Sequence, residues 1–270
     1  MRISIYQNKS ARSQKVSDNL KILLSEHKHR FTFDEINPEV VISIGGDGTL
    51  LSAFQKYLDQ IDQVRFVGVH TGHLGFYADW QEFELDELVD SLLQLQPQTI
   101  KYPLLESIVQ YSDGSQKRVL SMNEAALKQI SGTLAADVLI DGELFERFRG
   151  DGLTAATPTG STAYNKAIGG AVMNPSLASI QLSEIASINN QVFRTLGSPL
   201  VVGPKEVIRV VPLKADNEII LSHDHLNETT DQIAWVEFRV AHEQVSFASY
   251  RHTPFWRRVR NSFIGDEVVD

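Results

Sequence analysis

The sequence contains no cysteine. Disulfides, thiolate nucleophiles and cysteine-built zinc sites are therefore excluded. Long apolar runs are missing as well. Nowhere do about 20 consecutive apolar residues occur, the length that a membrane-spanning helix needs. The apolar start Ile3-Ser4-Ile5-Tyr6 is interrupted at once by Gln7-Asn8-Lys9, too short a run for a secretory signal. The expected location is the cytoplasm, with no membrane partner. Basic charge is also scarce: 25 Lys and Arg stand against 34 Asp and Glu, a net charge of −9. A general nucleic-acid binder needs a basic surface to displace counterions, so no nucleic-acid partner is expected. Any anionic ligand must be held locally. No internal repeat or low-complexity tract is present, which leaves array and linker architectures without support.

What is present suits a globular enzyme, with 42% hydrophobic and 22% charged residues in 270. That length favours two domains. Through residue 100, short apolar runs alternate with helical patterns. Ile3–Tyr6 reads as a strand, then a helix carries Val16, Leu20, Leu23 and Leu24, and Val40–Ile44 is a second strand. A helix with Leu50, Leu51, Phe54 and Leu58 follows, then a strand Phe66–Val69 and a helix with Leu85, Leu88, Leu92 and Leu93. This alternation predicts a doubly wound, parallel-sheet α/β domain over 1–100. From 101 to 249 the pattern is β-rich and sandwich-like. Hairpins are expected at Ser112–Ser115 and Asp141-Gly142, with strands at Val207–Leu213, Glu218–Leu221, Trp235–Val240 and Val245–Ala248 separated by polar turns, and one helix starting near Ser161. The basic and aromatic stretch Pro254–Arg260 lies in a tail, 250–270, expected to pack back on the first domain.

The run Val40–Ile44 leads directly into Gly45-Gly46-Asp47-Gly48-Thr49, after which Leu50–Phe54 resumes a helical pattern. Strand, glycine turn and helix in this order place backbone N–H groups at the carboxyl end of a parallel strand, where phosphate binds. The turn is neither a Walker A loop, since no Lys-Ser or Lys-Thr follows, nor a full dinucleotide fingerprint. Asp47 is the informative residue. Among phosphate-cradling amides, an aspartate suits metal binding or removal of a proton from an attacking hydroxyl. The plain alternative is that it caps the next helix.

A second cluster runs through Arg149-Gly150-Asp151-Gly152 and Thr157-Pro158-Thr159-Gly160-Ser161-Thr162. Its glycines and hydroxyls suit a ribose or phosphate, while helix capping accounts for single members such as Thr159 or Ser161. Asn123-Glu124 is a pair able to read sugar hydroxyls, or simply the end of a strand. His223 and His225 would share a face of an extended segment, but without a third ligand they read as exposed surface histidines, and no residue-built metal site is expected.

Taken together, the turn Gly45–Thr49, the motif His73-Leu74-Gly75-Phe76-Tyr77, the pair Asn123-Glu124 and the stretch from Gly150 to Tyr164 resemble the NAD kinase family, over nearly the whole chain. The Phe255-Trp256-Arg257-Arg258 tail resembles that of compact bacterial members. The resemblance implies an α/β domain followed by a β-rich NAD-binding domain, with ATP and NAD as substrates and Mg²⁺ or another divalent cation as cofactor. It implies that Asp47 is the base activating the 2′-hydroxyl of the adenosine ribose, and that Gly45, Gly46, Gly48 and Thr49 handle the phosphate donor. By position, Asn123 and Glu124 correspond to ribose contacts, and Arg149 and Asp151 to contacts near the other nucleoside. Thr159 and the run Thr162, Ala163, Tyr164, Asn165, Lys166 and Ala167 would line the dinucleotide, with Ala186 nearby. Phe76 and Tyr77 would flank an adenine-side pocket, and His225 would approach the nucleotide. Many relatives carry serine where this chain has Ala167. A homodimer or homotetramer with shared pocket walls is implied. Two rivals are a lipid kinase, which would share the glycine–aspartate turn, and a non-enzymatic sensor of NAD or NADP.

Overall fold

The computed structural model describes residues 1–72, 75–94, 97–213, 219–230, 232–251 and 253–265. Several expected features thus fall wholly or partly outside the described residues: His73 and Leu74 of the aromatic motif, Glu218 at the head of its strand, and His252 and 266–270 of the tail. Two compact units are present, Met1–Lys101 with Val245–Asp270, and Tyr102–Gln244.

The first unit begins with β1 (Arg2–Gln7) and α1 (Ala11–Ser25), where the Ser10 side chain caps the helix by accepting from the Ser13 N–H at 3.1 Å. Val16, Leu20 and Leu24 recur on one helical face and are buried on it. The short β2 (Thr32–Phe33) precedes β3 (Val40–Ile44), all five residues of which are buried, as a central parallel strand requires. There follow α2 (Asp47–Lys56), β4 (Arg65–His70), β5 (Trp80–Gln81) and α3 (Leu85–Gln94). The parallel order is β2-β1-β3-β4, with β5 beside the end of β4. Leu58, expected in the second helix, instead lies in a 3₁₀ turn, Leu58–Gln60, beyond its end.

The second unit is antiparallel. It contains β6 (Gln98–Tyr111, whose first residues belong to the first unit), β7 (Gln116–Ser121), β8 (Glu124–Gln129), β9 (Leu134–Ile140), β10 (Glu143–Gly150) and β11 (Gly152–Ala156). After a short helix α4 (Tyr164–Ala167) come β12 (Ile180–Ile185), β13 (Leu200–Val202), β14 (Ile208–Pro212), β15 (Ile219–His223), β16 (Leu226–Thr230) and β17 (Ile233–Ser249). One sheet runs β13-β12-β11-β8-β15-β16, and another contains β10-β9-β14-β17. Ala125, Leu127, Leu153 and Leu182 from the first meet Val138, Phe148, Val210 and Phe238 from the second in one apolar core. Both hairpins form. Asp141 and Gly142 have φ of +51° and +85°, the pair of positive values that a two-residue turn joining twisted strands requires.

Two expectations are corrected. Trp235–Val240 and Val245–Ala248 are not separate strands, because the polar residues between them continue β17 without a turn; no glycine or proline interrupts Ala241–Gln244. The helix expected near Ser161 is a 3₁₀ turn, Gly160–Thr162, followed by the four residues of α4.

The last seventeen-residue strand ends in the first unit, where Ser246 and Phe247 pair in parallel with Arg65 and Phe66 of β4. Beyond it α5 (Phe255–Phe263) buries Arg258 to 5% exposure. The Arg258 guanidinium donates to the carbonyls of Phe76 at 2.9 Å and Ala78 at 2.8 Å, and pairs with Asp79. The Phe76 ring lies 5.7 Å from Phe263 and 6.3 Å from Phe255.

Candidate active site

In the first unit the chain leaves β3 through Gly45, whose N–H bonds the Val69 carbonyl at 2.9 Å. Its φ of +153° and the position of the Thr49 side chain, into which a Cβ on Gly45 would run, both demand glycine. Gly46 caps α2, and a Cβ at Gly46 or Gly48 would meet nothing within 4 Å. The face over the helix N-terminus is therefore open, with first-turn N–H groups that have no intrahelical acceptor. A phosphate is favoured there by both the amides and the helix dipole.

Asp47 is the first residue of α2. Its carboxylate does not cap its own helix. It accepts the N–H of Phe76 at 2.9 Å and of Tyr77 at 3.2 Å, so its orientation is set by a segment thirty residues away. Gly75 is required here, since a Cβ on it would overlap the carboxylate. Phe76 and Tyr77 are the residues expected to flank an adenine-side pocket. The Phe76 ring packs against α5, and the buried Tyr77 ring stacks on Phe247 at 5.9 Å, while their backbones hold Asp47. Thr49 is buried, its hydroxyl accepting from Asn8 at 3.3 Å.

In the second unit Asn123 and Glu124 lie where the chain enters β8. Thr157 and Thr159 donate their hydroxyls to the Met122 carbonyl at 2.6 and 3.0 Å, and the Thr157 N–H bonds Asn123 O at 2.9 Å. Gly160 rests against the Asn123 backbone with no room for a Cβ. Ser161 donates to Pro158 O at 2.6 Å and Thr162 to Thr159 O at 3.2 Å. The hydroxyls of this cluster are thus engaged within the protein, and those of Thr157 and Thr159 hold the Met122 carbonyl.

Asp224, which sequence reasoning missed, completes the clamp. It sits at φ +50° in the turn between β15 and β16, and its carboxylate accepts the N–H groups of Met122 at 3.0 Å and Asn123 at 2.7 Å. Burial raises its pKa, opposed by those backbone donors. Glu124 is 9% exposed, and its Oε2 has no hydrogen-bond partner among the described residues. Burial first, and the neighbouring Asp224 charge second, push its pKa up to about 8, with Lys128 opposing. A carboxyl group that is largely protonated near neutrality can donate one hydrogen bond and accept others, as a diol requires.

The remaining candidates divide. Asp151, Lys166, Ala167 and Ala186 are exposed, Ala186 at φ +47°. Arg149 is exposed, donating to Thr133 at 2.9 Å with its guanidinium 5.4 Å from the Phe193 ring. Ala163 and Tyr164 are partly exposed, with Lys128 4.4 Å over the Tyr164 ring. Asn165 is fully buried, its Oδ1 accepting from Ser183 at 2.7 Å, so its side chain faces inward. The expectation that both histidines are surface residues is corrected. His225 is exposed, but His223 is buried and bonded to Glu228 at 3.2 Å, and the turn at Asp224 separates the pair.

Comparison with known proteins bears directly on these sites. The ATP-NAD kinase N-terminal domain matches residues 4–96, and the ATP-NAD kinase C-terminal domain matches residues 122–250. The NAD kinase of Leuconostoc citreum is 54% identical over 98% of this chain and 99% of its own. That of Levilactobacillus brevis is 51% identical over 99% of both. Among solved structures, yeast NADH kinase complexed with NADH aligns with a TM-score of 0.85 at 18% identity, covering 100% of this chain and 89% of the other. An NAD kinase from Archaeoglobus fulgidus in complex with ATP aligns at 0.76 and 22%, covering 99% and 100%. These last two carry the fold, and the sequence relatives carry more: over almost its entire length, glycine turn and Asn-Glu pair included, the chain belongs to the NAD kinase family.

Proposed function

We propose that the protein transfers the γ-phosphate of ATP to the 2′-hydroxyl of the adenosine ribose of NAD, giving NADP and ADP in the cytoplasm. The observation that carries this reading is Asp47. A carboxylate aimed by two backbone N–H groups, at the mouth of an open glycine turn, has the placement that a base needs beside a bound phosphate. Gly46 and Gly48 let the donor phosphates approach the first turn of α2. Asp47 then takes the proton of the attacking hydroxyl as the O–P bond forms.

The first unit carries phosphate transfer, and the second is the NAD-binding domain. Asn123 and Glu124 hold the ribose hydroxyls, supported by the buried clamp beneath them. Arg149 and Asp151 contact the other nucleoside, and the backbone from Thr162 to Ala167, with Ala186 and His225, borders the dinucleotide.

Among the described residues no group of three or more histidine or acidic side chains could hold a metal. Asp47, in the glycine turn, is the carboxylate that would stand by a divalent cation arriving with the donor phosphates. When bound, Mg²⁺ would neutralise charge developing on the transferred phosphoryl group.

We also place the protein in a homodimer or homotetramer, which the exposed Ile188, Val192 and Leu196 support. Light scattering coupled to gel filtration tests that assembly. The activity is tested by following NADP formation from NAD, ATP and Mg²⁺ with wild type and Asp47→Asn. Turnover in the wild type and a loss of about 10²–10⁴-fold in the folded variant are expected. An Asp47→Asn enzyme working at the normal rate would reduce Asp47 to a structural residue.

A further inference from the structure

His70 ends β4 and is 6% exposed. Its Nδ1 lies 3.1 Å from the Gly72 carbonyl. A carbonyl only accepts, so Nδ1 carries the hydrogen and Nε2 of the neutral ring is left as an acceptor. That Nε2 is buried without a partner among the described residues. An unmet buried acceptor costs about 1–3 kcal/mol, so its retention calls for an explanation.

His70 lines a cavity of about 10 Å³ together with Gly45, Asp47, Gly75 and Tyr77. This is about the room that one water needs. Gly75 and Tyr77 both adjoin the Asp47 carboxylate, so this small space is shared by the residue that carries the proposed base and by His70.

We infer that His70 is a positioning residue of the phosphate-transfer site, holding one water against Asp47 and receiving through it the proton that Asp47 removes from the attacking hydroxyl. The inference rests on the reading of Asp47 as the base. The balance is simple. The hydroxyl O–H breaks as its oxygen bonds phosphorus, and the proton passes to Asp47. Asp47 gives it to the water, which delivers one of its own protons to Nε2. Asp47 is restored as a carboxylate facing an imidazolium, and the ring later loses its proton to solvent. The other charged groups near the ring are Glu82, bonded to Arg12, and Glu84, paired with Arg251.

The test measures single-turnover NADP formation across pH for wild type, His70→Leu, His70→Asn and Asp47→Asn. His70→Leu is expected to slow transfer by about tenfold to a hundredfold, the lower part of what a positioned proton acceptor supplies. Dissociation constants for NAD and ATP should stay within about twofold. The dependence of the rate on pH should become shallower, because one acceptor of the proton is gone. His70→Asn keeps an oxygen able to accept from the water and should recover part of the rate while leaving the slope shallow. His70→Leu with the wild-type rate and slope, beside a slow Asp47→Asn, overturns the inference alone. A normal rate in Asp47→Asn overturns it through the reading on which it rests. A loss in His70→Leu that comes with equally weakened binding and a lower melting temperature, and that asparagine does not relieve, assigns the histidine a structural role and overturns it as well.

Discussion

Glu124 offers a thermodynamic handle that is independent of turnover. Its pKa is pushed from 4.5 to about 8, first by burial and then by Asp224. In the pH range between those values the folded protein keeps a proton that the unfolded chain has released, so stability falls as pH rises and levels off above about 8. The whole displacement amounts to at most about 5 kcal/mol. Between pH 6 and 9 the contribution that remains to be lost is about 3 kcal/mol. Glu124→Gln keeps the shape and cannot ionise, so it should lack this loss. Urea unfolding of both proteins at several pH values between 6 and 9 measures it. The variant should gain about 3 kcal/mol on the wild type across the range. Two stability profiles that run parallel within about 0.5 kcal/mol would refute the argument, because they would mean that Glu124 is as well solvated when folded as when unfolded.

Gly75→Ala should displace the Asp47 carboxylate and lower kcat by about a hundredfold, the scale of a misplacement near 1 Å, in a steady-state NADP assay. Gly48→Ala meets no obstacle, so it should stabilise α2 by about 0.5–1 kcal/mol in thermal unfolding while raising the KM for ATP, since the turn can no longer admit phosphates as closely. Arg258→Met leaves Asp79 without its buried partner and should cost about 3–5 kcal/mol in chemical unfolding. Arg258→Lys should restore only part of this, because an ammonium cannot reach both carbonyls and the carboxylate with the fixed fork of a guanidinium.

Regular structure with a period is legible in the sequence. Val16, Leu20 and Leu24 mark a helix, Val40–Ile44 a buried strand and Asp141-Gly142 a hairpin, because each depends on neighbours a few residues away. The site is legible only where its chemistry is local, as in the glycine turn. Asp224 was invisible because its importance comes from two N–H groups about a hundred residues upstream. Arg258 looked like one charge in a basic stretch, although burial distinguishes it from its neighbours. The hydroxyls from Thr157 to Thr162 suggested a ligand because sequence does not show that Met122, Pro158 and Thr159 already supply their acceptors. The continuous β17 was misread because the three consecutive polar residues His242, Glu243 and Gln244 resemble a turn.

The clasp of Arg258 on the Phe76–Asp79 segment has a consequence for the order in which the protein is made. Asp47 leaves the ribosome early, and so do the two backbone N–H groups that aim it. The side chain that ties down the carbonyls of that same segment is translated more than 175 residues later. A chain released before residue 258 therefore carries the glycine turn and its aspartate on an unfastened support. Fastening of the segment that aims Asp47 therefore waits for residues translated after the whole of the second unit.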